Sequence, residues 1–201
     1  MAGYGVFSTG PYHILSYGTL LGTTFWHSFV GGIVMFRTLE RPQFAAVQSK
    51  LFPVYFTLQT AAPAVLALTY PGNKGGAFGL SGILDVANRW TVLAPIAAIF
   101  SSALFNLVVL LPATRKIMEQ RKVQDILVTD TDIDRKYFPS TLTCAAEKKD
   151  GKKSWEPAPH SQEMAALNKQ FGKLHGISSL LNLTTFIASI VYGFHLGNLL
   201  Q

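Results

Sequence analysis

Residues Thr91–Leu111 read TVLAPIAAIFSSALFNLVVLL, an unbroken run with no charged side chain. At about 1.5 Å per residue, a run of this length makes a helix about 30 Å long, the thickness of a bilayer's hydrocarbon core. Working outward, three further blocks have the same character: Tyr12–Phe36, Pro53–Tyr70 and Gly176–Asn198. Tyrosines apart, the ionisable side chains inside them are histidines, of which His27 and His195 stand out. One such helix can hide in a soluble core, but four in 201 residues cannot. The expected fold is an all-α membrane protein, a single four-helix domain over residues 1–201 with short amphipathic helices on its cytosolic side. Pro63 predicts a kink in the second span.

Charge sets the expected orientation. Fifteen of the seventeen Lys and Arg residues lie in two connections, 37–52 and 112–175, and only Lys74 and Arg89 lie elsewhere. Arg37, Lys50, Arg115, Lys116 and Lys173 border spans directly. By the positive-inside rule both connections are cytosolic and both termini non-cytosolic. The first block is too long for a signal-peptide core, so the first span is expected to stay uncleaved. There is no Arg-rich presequence, and the expected location is the endoplasmic reticulum or another secretory-pathway membrane, not a mitochondrial one. The net charge of +6 is then a border of cations facing anionic lipid headgroups. With no aromatic-interleaved basic patch, no nucleic-acid partner is expected. Cys144 is the single cysteine, which excludes an internal disulfide.

Between the spans, Glu40–Arg41–Pro42 predicts a turn and Gln43 the start of a short surface helix ending at Pro53, with Phe44, Val47, Leu51 and Phe52 on its apolar stripe. Pro71, Gly72, Gly75, Gly76, Gly79 and Gly82 predict a flexible connection with little structure. Residues 123–160 form the hydrophilic cytosolic loop, with an acidic patch and a basic run. Ser161 is placed to cap a helix with Met164, Leu167, Phe171 and Leu174 on one face.

Candidate sites are few. Asp130-x-Asp132-x-Asp134 has the spacing of a calcium loop, but such a loop needs Gly where Arg135 stands and Glu where Thr141 stands. No catalytic constellation, metal site or cofactor is expected, and the protein reads as non-enzymatic. Each span does carry a strongly polar side chain. Measured from the span midpoints at the helical rise, His27, Gln59, Asn106 and Asn182 all lie about 4 to 8 Å to the cytosolic side. His175, Ser178, Ser179 and Asn182 share one helix face and extend this layer toward the cytosol. Two readings stand: interhelical hydrogen bonds, or a polar cavity for a small molecule or lipid headgroup. Near the opposite membrane face, Gly18-x-x-x-Gly22 and Gly193-x-x-x-Gly197 predict close packing of the first span on the fourth, with a dimer through Gly18 and Gly22 as the alternative.

Phe36-Arg37-Thr38-Leu39 with Val47-Gln48-Ser49-Lys50-Leu51-Phe52-Pro53-Val54-Tyr55-Phe56, and Phe171 to Leu183 (FGKLHGISSLLNL), resemble the two signatures of the transmembrane protein 205-like family. Asn106 and Pro112-Ala113-Thr114 fit the same pattern. That resemblance implies a four-span eukaryotic membrane protein of the secretory or cell-surface membranes. It singles out Arg37, Gln48, Ser49, Lys50 and Pro53 as a cytosolic-face motif. A shorter pattern, Trp26…Gly32…Arg37, is similar to the copper-resistance-D-like and haem-biosynthesis membrane families. It implies a haem or metal reading through His27 and His175. The expectation that emerges is an accessory, trafficking or scaffolding subunit with a membrane-protein partner or a second copy of itself. A small-molecule or lipid transporter is the alternative.

Overall fold

The computed structural model describes residues 8–72, 77–123, 154–156 and 160–199. The acidic patch, Cys144, the basic run and most of the 123–160 loop fall outside the described residues, as do Lys74, Gly75 and Gly76. The chain is an all-α membrane bundle. Its four long helices are α1 (Thr9–Thr38), α2 (Arg41–Thr69), α4 (Val86–Val123) and α5 (Gln162–Leu199), and a short α3 (Gly79–Ile83) precedes α4. Only 17% to 39% of each helix's apolar window is buried within the protein. Trp90, Phe194, Leu15, Leu68 and Leu180 all stand exposed on the outside. In water that apolar surface would be a large penalty, whereas in hydrocarbon it is the solvated face.

The protein divides into two compact units, Met1–Leu111 with Ser178–Gln201, and Pro112–Ile177. The first holds a buried cluster in which Leu66 of α2, Val92, Ile96 and Ile99 of α4, Ala188 and Tyr192 of α5 and Leu20 of α1 meet Ile83 of α3. Within the second, the Ser161 hydroxyl accepts from the Met164 N–H at 3.2 Å and Met164 is buried. This is the cap and face expected from the sequence. The Arg121 guanidinium lies 4.6 Å from the Phe171 ring centre.

Two local expectations change. No separate surface helix begins at Gln43. The helix starts at Arg41 with Pro42 in its first turn and runs through Pro53 and Pro63 to Thr69. Pro53 lacks an N–H and so frees a carbonyl, but its ring does not end the helix, and the Thr57 hydroxyl donates to the Pro53 carbonyl at 2.8 Å. Val47 and Leu51 of the apolar stripe are exposed, while Gln48, off that stripe, is the buried residue. The corner before α2 is held by stacking: the Arg41 guanidinium sits 3.7 Å over the Phe36 ring, which meets Phe44 edge-on at 5.5 Å.

The described residues of the Gly-rich connection, 71–72 and 77–90, are structured. Gly72 and Gly79 adopt positive φ, of 75° and 62°, which only glycine does cheaply. The Gly79 N–H returns to the Tyr70 carbonyl at 2.8 Å. The Asp85 carboxylate then accepts from the Ala87 N–H at 2.9 Å, and the Asn88 amide donates to the Gly82 carbonyl at 2.8 Å. A β-carbon on Gly82 would overlap the Ala77 carbonyl. The connection thus folds down and places Ile83 in the core.

Candidate functional site

The anticipated polar layer resolves into separate pairs. Gln59, 1% exposed, donates through Nε2 to the Tyr55 hydroxyl at 2.7 Å and to Thr24 Oγ1 at 3.2 Å, tying α2 to α1. Asn106, fully buried, donates through Nδ2 to Asn182 Oδ1 at 3.4 Å, tying α4 to α5. His27 borders the first group through its ring contact with Tyr55. Its ring is 4.3 Å from that of Tyr55 and 5.1 Å from that of Phe52. It lines a groove of about 270 Å³ with Gly22, Trp26, Leu51 and Val54. Ser178 is half-buried, Ser179 and His175 are exposed, and the His175 ring stacks on Phe171 at 5.8 Å. Gln59 Oε1, Asn106 Oδ1 and Thr185 Oγ1 are buried without a protein partner.

Two of these side chains sit on wide helical turns. Trp26–Gly31 and Asn106–Leu110 are π-helical, a geometry that adds a residue to the turn and re-aims the side chains around it. Such turns have no sequence signature at this level.

In the motif at the turn between the first two spans, Arg37, Ser49 and Lys50 are exposed while Gln48 is buried with its Oε1 unpaired. The glycine expectation is corrected. Gly193 alone of the four makes the close approach, since a β-carbon there would overlap the Tyr17 hydroxyl. Gly18, Gly22 and Gly197 face open space within the chain. Helices α1 and α5 meet instead through Tyr17, which donates to the Ser189 carbonyl at 3.3 Å, and through Phe29 on Phe186 at 5.0 Å.

The densest polar constellation escaped the sequence reading. His13, inside the first apolar block, is fully buried. Its Nδ1 lies 3.0 Å from Thr69 Oγ1 and its Nε2 lies 2.6 Å from the Tyr192 hydroxyl. One turn on from Tyr192, His195 Nε2 lies 3.2 Å from the Tyr70 hydroxyl. Ring centres are 6.2 Å apart for His13–Tyr70, 6.3 Å for Tyr70–His195, 6.2 Å for His195–Tyr192 and 5.9 Å for Tyr192–His13. Two imidazoles and two phenols therefore alternate around a closed circuit at the end of the bundle that carries α3. The available signal was Tyr192-x-x-His195 on one helix face, with His13 and Tyr70 at helix ends of matching depth.

Comparison with known proteins adds family membership. Over 188 residues the chain is 28% identical to xanthocillin biosynthesis cluster protein D of Aspergillus fumigatus, covering 94% of this chain and 88% of that one. No solved structure matches. The family described as a domain of unknown function, DUF4149, matches residues 15–123, a stretch that takes in α2, α3, α4 and all but the first turns of α1. The chain belongs to the DUF4149 family.

Proposed function

We propose that this protein is a non-enzymatic accessory or scaffolding subunit of a secretory-pathway membrane. Its working surface is the basic face around Arg37, Ser49 and Lys50, turned to the cytosol and to a membrane-protein partner. The observation that carries this reading is the use made of the polar layer. Gln59 is spent on Thr24 and Tyr55, and Asn106 on Asn182, so these amides serve as bonds between helices. The stacked corner of Phe36, Arg41 and Phe44 meanwhile holds the basic end in one shape. Similarity to a protein named for a biosynthesis cluster suits a supporting role beside enzymes, and the resemblance to the transmembrane protein 205-like family suits the location.

The test is purification in mild detergent with chemical cross-linking. A stoichiometric membrane-protein partner is expected, lost on R37E/K50E while helicity is kept. A lone monomer under the same conditions refutes the proposal. Orientation is read by tagging Ser8 and the 37–52 connection with glycosylation acceptors, of which only the first is expected to be modified.

A second reading, a transporter of small molecules or lipids, has one observation in its favour: the unpaired buried oxygens of Gln59, Asn106 and Thr185. Replacing Asn106 and Asn182 together by Leu separates the readings. Loss of ligand flux in a folded protein supports transport, and unchanged flux refutes it.

A further inference from the structure

We propose that the circuit of His13, Tyr70, Tyr192 and His195 is a binding site for one transition-metal ion, held by two imidazole nitrogens and two phenolate oxygens. The site is independent of the basic face, so neither proposal depends on the other. Groups of three or more His, Cys, Asp or Glu suited to a metal are absent among the described residues. Phenols are what complete this set.

The hydrogen bonds fix the chemistry of His13. The Thr69 hydroxyl has one proton, and it goes to the Val65 carbonyl at 2.7 Å. Thr69 Oγ1 therefore accepts from His13 Nδ1–H, and this assigns the tautomer from the network. His13 Nε2 is then a bare lone pair, occupied by the Tyr192 O–H at 2.6 Å. An imidazole whose second nitrogen is anchored on an outer oxygen is how metal-bound histidines are oriented. Thr69 supplies that anchor without being a ligand itself.

The spacing also fits. Two ligands bound at 2.0 to 2.1 Å with an angle between 90° and tetrahedral stand about 2.8 to 3.4 Å apart. Of the two nitrogen–oxygen pairs, the one at 3.2 Å lies within that range, and the one at 2.6 Å has only to open by a few tenths of an ångström. Ligands come from α1, from the residue closing α2 and from two positions of α5 one turn apart, so the backbone elements that carry them are rigid. His195 is half-exposed, which gives an entry path, while His13, Tyr70 and Tyr192 are buried. Charge balances: as each metal–oxygen bond forms, the phenol releases its proton to solvent, and two phenolates neutralise a divalent ion. A neutral site is what a low-dielectric surrounding permits.

Cu(II) is the probe of choice, because it heads the affinity order of divalent first-row ions and suits imidazole ligands. Detergent-purified protein, stripped with a chelator, is titrated with Cu(II). One equivalent is expected to bind, with a visible phenolate-to-copper charge-transfer band and release of two protons. Y192F and Y70F preserve ring packing and are each expected to weaken the band, and Y70F/Y192F to abolish it. T69V is expected to keep the band and lower affinity about 10-fold to 100-fold, the usual effect of losing an outer partner. A folded wild-type protein that takes up no copper, or a band that survives Y70F/Y192F, overturns the proposal.

Discussion

Gly193→Ala is the smallest change with a large expected consequence. A β-carbon there would fall on the Tyr17 hydroxyl and within 2.9 Å of the Tyr17 ring carbon that bears it. Tyr17 cannot simply rotate aside. Its hydroxyl donates to the Ser189 carbonyl, and its ring packs 6.0 Å from that of Tyr192. Overpacking of this kind costs about 1 to 3 kcal/mol, and losing the hydrogen bond adds about 0.5 to 1.5 kcal/mol. The sum is a fall of at least about tenfold in the folding equilibrium constant, since 1.4 kcal/mol corresponds to a factor of ten. Gly18, Gly22 and Gly197 have nothing within 4 Å of a β-carbon, so alanine there is expected to be neutral or to stabilise by up to about 1 kcal/mol, the helix-propensity difference from glycine. The assay is unfolding of the micelle-bound protein by denaturing detergent, followed by circular dichroism. Y17F removes the overlapping oxygen, so the cost of Gly193→Ala is expected to be smaller in that background. The reasoning is refuted if Gly193→Ala costs no more than Gly197→Ala, or if its cost is unchanged by Y17F.

Other expectations follow from single contacts. Asn106→Leu or Asn182→Leu alone leaves a buried amide without its partner, whereas the double change removes both. A double-mutant cycle should return a coupling near 0.6 kcal/mol, the average for interhelical hydrogen bonds in membranes, and no coupling would mean that the 3.4 Å contact does not form. Arg41→Ala is expected to cost about 0.5 to 1 kcal/mol through the lost cation–π contact with Phe36, with Arg41→Lys in between, measured by the same unfolding assay. Asn88→Ala removes the 2.8 Å bond to the Gly82 carbonyl and leaves it only the Asp85 N–H at 3.4 Å, at about 0.5 to 1.5 kcal/mol. Hydrogen exchange should rise locally over residues 79–88 and stay unchanged in the middle of α2.

The four membrane helices are legible in the sequence because hydrocarbon imposes a length and excludes charge, and Thr91–Leu111 satisfies both without reference to any neighbour. The Ser161 cap is legible for a similar reason, since capping is chemistry within a few residues. What depends on neighbours was not. The sequence shows Gly18 and Gly22 at helical spacing but not the face on which they fall, and the packing instead uses Tyr17 against Gly193. Polar residues of similar depth suggested one layer, yet the rotation of each helix, shifted by π-turns at Trp26–Gly31 and Asn106–Leu110, sorts them into separate pairs. His13 was passed over because a single imidazole near a helix start carries no weight until Tyr192, far along the chain, is known to meet it.

Those pairs bear on how such a bundle chooses its neighbours. In lipid, apolar side chains gain little from leaving one hydrocarbon surface for another, so van der Waals fit and polar contacts must specify which helix meets which. The polar bonds here are distributed in that way. Gln59 to Thr24 and His13 to Thr69 join α1 with α2, and Asn106 to Asn182 joins α4 with α5. His13 to Tyr192 joins α1 with α5, while Tyr70, closing α2, reaches His195 on α5. Helices α2 and α4 share the apolar cluster of Leu66, Ile96 and Ile99. Four of these five pairs, among the described residues, are thus labelled by a hydrogen bond that the wrong neighbour could not complete, and each wrong pairing would strand a polar group in hydrocarbon. The His–Tyr circuit contributes to three of those labels at once, which is more than packing alone requires of any one tier, and it is the place where a bound ion would lock α1, α2 and α5 together.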